Sequence, residues 1–168
     1  MEPETWNFDD DGVIPNSRLP VLLYDEVPEA QEAARCEWLF AQHDWLGAWR
    51  NGIYPFHHFH SIAHEVLGIV AGEASVMLGG PRGRELRVHR GQVLVLPAGT
   101  GHCNLGGDGL LVVGAYPGGA DWDLCRGEPG EHDAVRANIA QVPLPRADPV
   151  RGEPGALTVL WSAPGGAG

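Results

Sequence analysis

Between Gly52 and Tyr116 the sequence is a succession of short β-prone runs cut by glycine, and this pattern limits the fold more than any other feature. The runs occupy residues 56–60, 65–71, 74–78, 85–88, 92–96 and 110–116, with Gly79-Gly80-Pro81 and Gly106-Gly107-Asp108-Gly109 reading as turns. Strands at such intervals predict an all-β sandwich or barrel. The 24 glycines and 14 prolines suit many tight turns, and an apolar fraction of 43% argues against general disorder. At 168 residues the chain is one domain long, enough to bury a core without disulfides or a structural metal. A metal site in it would therefore be functional first. No internal repeat is present.

The flanks read differently. Residues 1–18, with Asp9-Asp10-Asp11 closed by Gly12, form an arm or loop. Residues 19–24 make a short apolar run with Pro20 near its start, which suits an edge strand. From Pro28 to Trp45, apolar residues recur at Ala30, Ala34, Trp38, Ala41 and Trp45, and Pro28, Glu29 and Glu32 supply a first turn. This spacing predicts a helix whose tryptophan stripe packs on the barrel. After Pro117 the chain is mostly glycine, proline and charge, with residues 157–161 able to form one more strand. The expected organisation is an arm, strand and helix at 1–51, a barrel core at 52–116, and a segment at 117–168 wrapping the barrel or a dimer partner. The glycine-rich end beyond Ala163 is expected to fray.

A formal net charge of −11 repels a phosphate backbone or an anionic membrane, so nucleic acid and membrane are not expected partners. Cysteine stands only at 36, 103 and 125, without C-x-x-C spacing, which suits a reducing compartment. Met1-Glu2-Pro3-Glu4 lacks the basic and apolar pattern of a signal peptide, and no apolar run nears the ~20 residues of a membrane span. A cytoplasmic, soluble protein is the expectation.

Histidine is concentrated at 57, 58, 60 and 64, followed at once by Glu65. On a strand His58 and His60 project to one face while His57 and Phe59 take the other, and two imidazoles on a face are half a metal site. A turn over residues 61–64 would then bring the Glu65 carboxylate beside them as a hard oxygen ligand. His60 and His64 also have the i, i+4 spacing of a helical ligand pair, but the surrounding residues argue for a strand, and His64 is read as a residue behind the ligands. Gly68 stands where a zinc protease would need its second histidine, so that activity is excluded. His89 and His132 are assigned to the surface, and Cys103 to the outer core. Arg50 and Tyr54 are candidates to bind a substrate carboxylate or hydroxyl at a barrel mouth.

Two motifs resemble those of the cupins. Gly52-x5-His58-x-His60-x4-Glu65-x6-Gly72 is similar to the first cupin motif, and Gly91-x5-Pro97-x-Gly99-x2-His102 to the second. The family often has asparagine four residues after the last histidine, where this chain has Gly106; the nearest asparagine is Asn104. More narrowly, the chain resembles the YjlB-like bacterial cupins through Asp10-Asp11-Gly12-Val13-Ile14-Pro15-Asn16, Trp49-Arg50-Asn51-Gly52-Ile53, His57-His58-Phe59-His60-Ser61, His64-Glu65-Val66-Leu67-Gly68, Leu96-Pro97-Ala98-Gly99 and Val113-Gly114-Ala115-Tyr116-Pro117. The resemblance implies a double-stranded β-helix, or jelly-roll barrel, holding one divalent metal ion through His58, His60, Glu65 and His102. It implies pairing through sheet edges, with the strand at 19–23 a candidate to cross in a homodimer.

Four ligands leave two positions open on a six-coordinate metal, and such a donor set suits Fe, Mn, Ni or Zn. The expected function is a metal-dependent oxidoreductase, dioxygenase-like, acting on a small polar molecule, with His64 as the catalytic proton carrier. A metal-dependent isomerase, or a non-enzymatic module that binds or senses a small molecule or the metal, is the alternative.

Overall fold

The computed structural model describes residues 2–162. Its strands are β1 (Glu4–Trp6), β2 (Val21–Tyr24), β3 (Trp45–Asn51), β4 (Glu65–Leu78), β5 (Arg84–His89), β6 (Val93–Leu96) and β7 (His102–Pro117). They form one antiparallel sheet in the order β1-β2-β6-β4-β7-β3, with β5 added on β4. The fold is mostly β, the class that the glycine-cut pattern predicts, and it is the jelly roll that the cupin resemblance implies.

The period of two along the strands sorts their side chains between two cores. Val66 of β4, Val93 and Val95 of β6, and Val113 and Ala115 of β7 enter one cluster. Their neighbours Leu67, Leu94, Leu96 and Val112 enter the other. A one-residue slip in register would exchange the two sets, so the pairing is strongly specified. Each fully buried leucine or valine contributes roughly 1.5–3 kcal/mol relative to exposure.

The helix expected over 28–45 is a short 3-10 helix, Pro28–Gln31, followed by α1, Ala33–Gln42. Its stripe lies on the opposite face from the one expected. Trp38 is 57% exposed, whereas Cys36, Leu39 and Phe40 are buried. The reason is Gly68 in β4: a Cβ there would meet Cys36 Sγ at 2.3 Å and Phe40 Cζ at 3.1 Å, so the bare backbone seats that face of the helix. Asp44, in the left-handed region at φ 63°, ends the helical course, and Trp45 begins β3 instead of closing the stripe.

Several other expectations are corrected. Residues 65–71 and 74–78 are one strand, β4, and the turn expected at 106–109 lies inside β7, absorbed by register shifts against β4. Gly72, at φ 68°, permits this crowding, since a Cβ on it would lie 2.3 Å from the Gly109 backbone. Residues 56–60 make only isolated bridges, His58 with His102 and Phe59 with Cys125. The run at 19–24 is not an edge, because β2 lies between β1 and β6. The sheet takes β1, β2 and β3 from the residues before Gly52.

The strand expected at 157–161 is a helix, α3 (Ala156–Leu160), and Leu157 and Trp161, four apart, bury one face. Another helix, α2 (His132–Gln141), went unread among glycines and prolines. The segment after Pro117 wraps its own barrel. Trp45 Nε1 donates to the Ala147 carbonyl at 2.9 Å and Trp161 Nε1 to the Pro20 carbonyl at 2.8 Å. Buried Asp148 accepts from the Tyr24 hydroxyl and from the N–H groups of Val150, Arg151 and Leu157. The expected fraying beyond Ala163 lies outside the described residues. Among the described residues no helix is long and apolar enough to cross a membrane.

Candidate metal centre

The site begins with one bridge. His58 N–H donates to the His102 carbonyl at 3.1 Å and His102 N–H returns to His58 at 2.9 Å, so two residues 44 apart in sequence stand side by side, ring centroids 3.9 Å apart. His60, two positions on, shares the face, while Phe59 turns into a core with Ile14, Cys125 and Val135. The histidine donor atoms of 58, 60 and 102 lie within 4.8 Å of one another, all three residues buried.

Each ring is aimed from behind. The Nδ1 of His58 donates to the Phe56 carbonyl at 2.9 Å, that of His102 to Thr100 at 3.0 Å, and that of His60 to the Asp123 carbonyl. With Nδ1 holding the proton, the Nε2 lone pairs are the free donors, which is how proteins fix imidazole ligands for a metal. Asn104 has no part in this: its Oδ1 accepts from Gly106 N–H at 2.8 Å.

Glu65 opens β4 as expected, and its Oε1 lies 3.3 Å from His60 Nε2 and 3.5 Å from His102 Nε2. Burial alone would raise its pKa, but the bonds from His102 and His60 win and hold it far below the carboxylate range. On His60 burial acts downward and the Glu65 carboxylate upward, and the carboxylate prevails, so His60 is raised. His58, desolvated and beside His102, is pushed down to about 3 and stays neutral. A buried carboxylate between imidazoles calls for a cation. A divalent ion held by the imidazole Nε2 atoms would supply it, so the residues fit a metal.

The triad floors a cavity of about 420 Å³ whose walls include Trp49, Tyr54, Leu67, Tyr116 and Trp122. Trp49 Nε1 donates to the Tyr116 oxygen at 2.8 Å, and the Tyr116 hydroxyl in turn bonds Glu65. Burial, and then the Glu65 charge, raise the Tyr116 pKa. Trp49 can lie across β7 because residue 114 is glycine; a Cβ there would be 2.1 Å from the indole.

Of the sequence candidates, His58, His60, Glu65, His102, Arg50 and Tyr54 all border this cavity. The guanidinium of Arg50 is already paired with Glu37. His64 is not brought here. Its Nδ1 accepts from Ala98 N–H at 2.9 Å, its ring packs on Trp161, and it lines a different cavity; the strand's alternation sends it away from Glu65. His89 is exposed, His132 is half-buried against Asp10 at 2.8 Å, and Cys103 is buried, with burial raising its thiol. Sequence reasoning missed Trp49, Tyr116, Trp122 and Asp123. The last two come from the coil-like stretch after β7, where no periodicity pointed to them.

An antiparallel jelly roll carrying three imidazoles on its two glycine-flanked motifs defines a cupin. The particular relationship is closer: the uncharacterised protein YjlB of Bacillus subtilis (strain 168) is 35% identical over 162 residues, covering 95% of this chain and 97% of YjlB, and the chain belongs to that family. No protein-family model matches the chain. Solved structures similar to it include a DUF861 family protein from Thermotoga maritima, 16% identical, covering 57% of this chain and 98% of that one, with a TM-score of 0.38. Oxalate decarboxylase from Lactobacillus farciminis is 18% identical, covering 84% of this chain and 41% of that one, with a TM-score of 0.40.

Proposed function

We propose that this cupin is a metal-dependent enzyme, an oxidoreductase of the dioxygenase type acting on a small molecule held in the 420 Å³ cavity. The observation that carries the reading is the convergence of three buried imidazoles on the floor of an open cavity. His58, His60 and His102 would hold one divalent ion, Fe, Mn, Ni or Zn, with Glu65 as the further donor. When bound, the ion would supply Lewis acidity and, for iron, electron transfer to dioxygen.

The chain's own residues do the positioning. The carbonyls of Phe56, Thr100 and Asp123 orient the rings, and Tyr116 holds the Glu65 carboxylate. Proton transfer is not given to His64, which faces elsewhere. A second reading is a metal-dependent isomerase, in which a substrate carbonyl polarised by the ion would accept from the Tyr116 hydroxyl on the cavity wall.

Nitric oxide tests the first reading, since it occupies positions open to dioxygen. Protein loaded anaerobically with Fe(II) should give a high-spin iron-nitrosyl EPR signal that His58→Ala abolishes. Iron bound without any nitrosyl signal would overturn the dioxygenase assignment. We further propose a cytoplasmic homodimer, the three cysteines being free and the edges at β1 and β3 being open to a second chain. Sedimentation as a monomer at micromolar concentration would contradict the dimer.

A further inference from the structure

We infer that the cavity takes a neutral, planar aromatic molecule with two neighbouring oxygens, an ortho-diphenol or its heteroaromatic equivalent, and not the small polar acid that Arg50 suggests. The inference rests on the metal reading only for what the two oxygens bind.

Two walls carry it. Tyr54 stands edge-on to His58 at 5.4 Å between centroids, and Trp122 stands edge-on to His60 at 5.4 Å, so each flanks a different histidine of the triad. Each wall is braced by a second ring. Tyr54 stacks on Phe56 at 5.0 Å and 15°, and Phe56 lies 3.9 Å from the Arg126 guanidinium. Trp122 stacks on Tyr116 at 6.1 Å and 17°, and Tyr116 is tied to Trp49. Despite this support Tyr54 and Trp122 are each 47% exposed. Aromatic rings held rigid and left half-bare beside a polar floor form a slot whose remaining faces suit another ring.

Charge points the same way. Arg50, the cation on the cavity wall, already faces Glu37, and the chain as a whole carries −11. Among the described residues nothing on the walls offers an unspent positive charge to a carboxylate, so a ligand's polar atoms are matched at the floor, by the imidazoles and the metal they would hold. A volume of 420 Å³ admits a single ring with modest substituents.

Calorimetric titration of zinc-loaded and metal-free protein with catechol, trans-cyclohexane-1,2-diol and oxalate tests this. Catechol should bind the zinc form about tenfold or more tighter than the diol, which offers the same oxygens without a planar ring. Trp122→Ala and Tyr54→Ala should each cut catechol affinity about tenfold. Zinc content and circular dichroism should stay unchanged in both, because the two side chains are half in solvent. Oxalate or the diol binding as tightly as catechol, or Trp122→Ala leaving catechol unaffected, would overturn the inference. Catechol preferred over the diol in protein that never takes up zinc would instead sustain the slot and overturn the metal reading.

Discussion

The strap residue Asp123 governs the metal site although it would touch no metal. Its Oδ1 accepts from Ser61 N–H at 2.7 Å, its Oδ2 from the Ser61 hydroxyl and from the Cys125 thiol at 3.2 Å, and its carbonyl holds His60 Nδ1. Burial would raise this carboxyl, but the Ser61 bonds lower it, so the anion is the form that belongs here. Ser61 is fully buried. Asp123→Ala therefore strands a backbone N–H in the interior, a loss of about 1–3 kcal/mol. The Ser61 hydroxyl keeps its contact with Asn138, whose Nδ2 donates to it at 3.1 Å. At about 2 kcal/mol a domain of this size should melt roughly 4–8 °C lower. With the carbonyl free to shift, His60 loses its aim, and zinc affinity should fall about 10- to 100-fold. Zinc titration against a competing chromophoric chelator, beside thermal melts of the metal-free protein, reads both quantities, and Asp123→Asn should recover part of each. If the melting point falls while zinc affinity stays within about twofold of wild type, the strap only stabilises the fold and the coupling to His60 is refuted.

Other outcomes follow from the same geometry. His64 is held down at about 4 by burial, against an ordinary 6.5. The unfolded chain is thus protonated first, and stability present above about pH 6.5 should drain away as pH falls toward 4, by on the order of 3 kcal/mol from this residue. His58 adds to the same trend, so urea unfolding at pH 7 and pH 5 should show a smaller loss for His64→Gln than for wild type; equal losses would place the acid sensitivity elsewhere. Gly114→Ala pushes a methyl into the Trp49 indole and should destabilise by about 1–3 kcal/mol in chemical denaturation; an unchanged midpoint would contradict the close packing. Tyr116→Phe removes the partner of the Trp49 N–H and the donor to Glu65, and should weaken zinc binding several-fold by competition titration; unaltered affinity would show that Glu65 needs no orientation from Tyr116.

The barrel and half of its site were legible because their signals are local. Glycine-cut runs of period two point to the all-β class, and i, i+2 spacing puts His58 and His60 on one face. Long-range effects were not legible. Helix α1 chose its buried face to match the groove over Gly68, a feature of another strand, and so Trp38 went to solvent. His64 read as a neighbour of the ligands because it precedes Glu65, yet strand alternation turns it to the other side. Leu157 and Trp161 carry a helical four-residue spacing that the β-prone residues between them mask. The wall at Trp122 and the strap at Asp123 depend on where the chain goes after β7, and nothing in glycine- and proline-rich sequence states that path.

The central claim, that three imidazoles and a carboxylate hold one divalent ion, is tested most directly by elemental analysis of protein purified without added metal or chelator, with His102→Ala alongside. The account predicts about one equivalent of iron, manganese, nickel or zinc in the wild-type protein and its loss in the variant. No metal in the wild type even after reconstitution, or the same metal content in both, would contradict it.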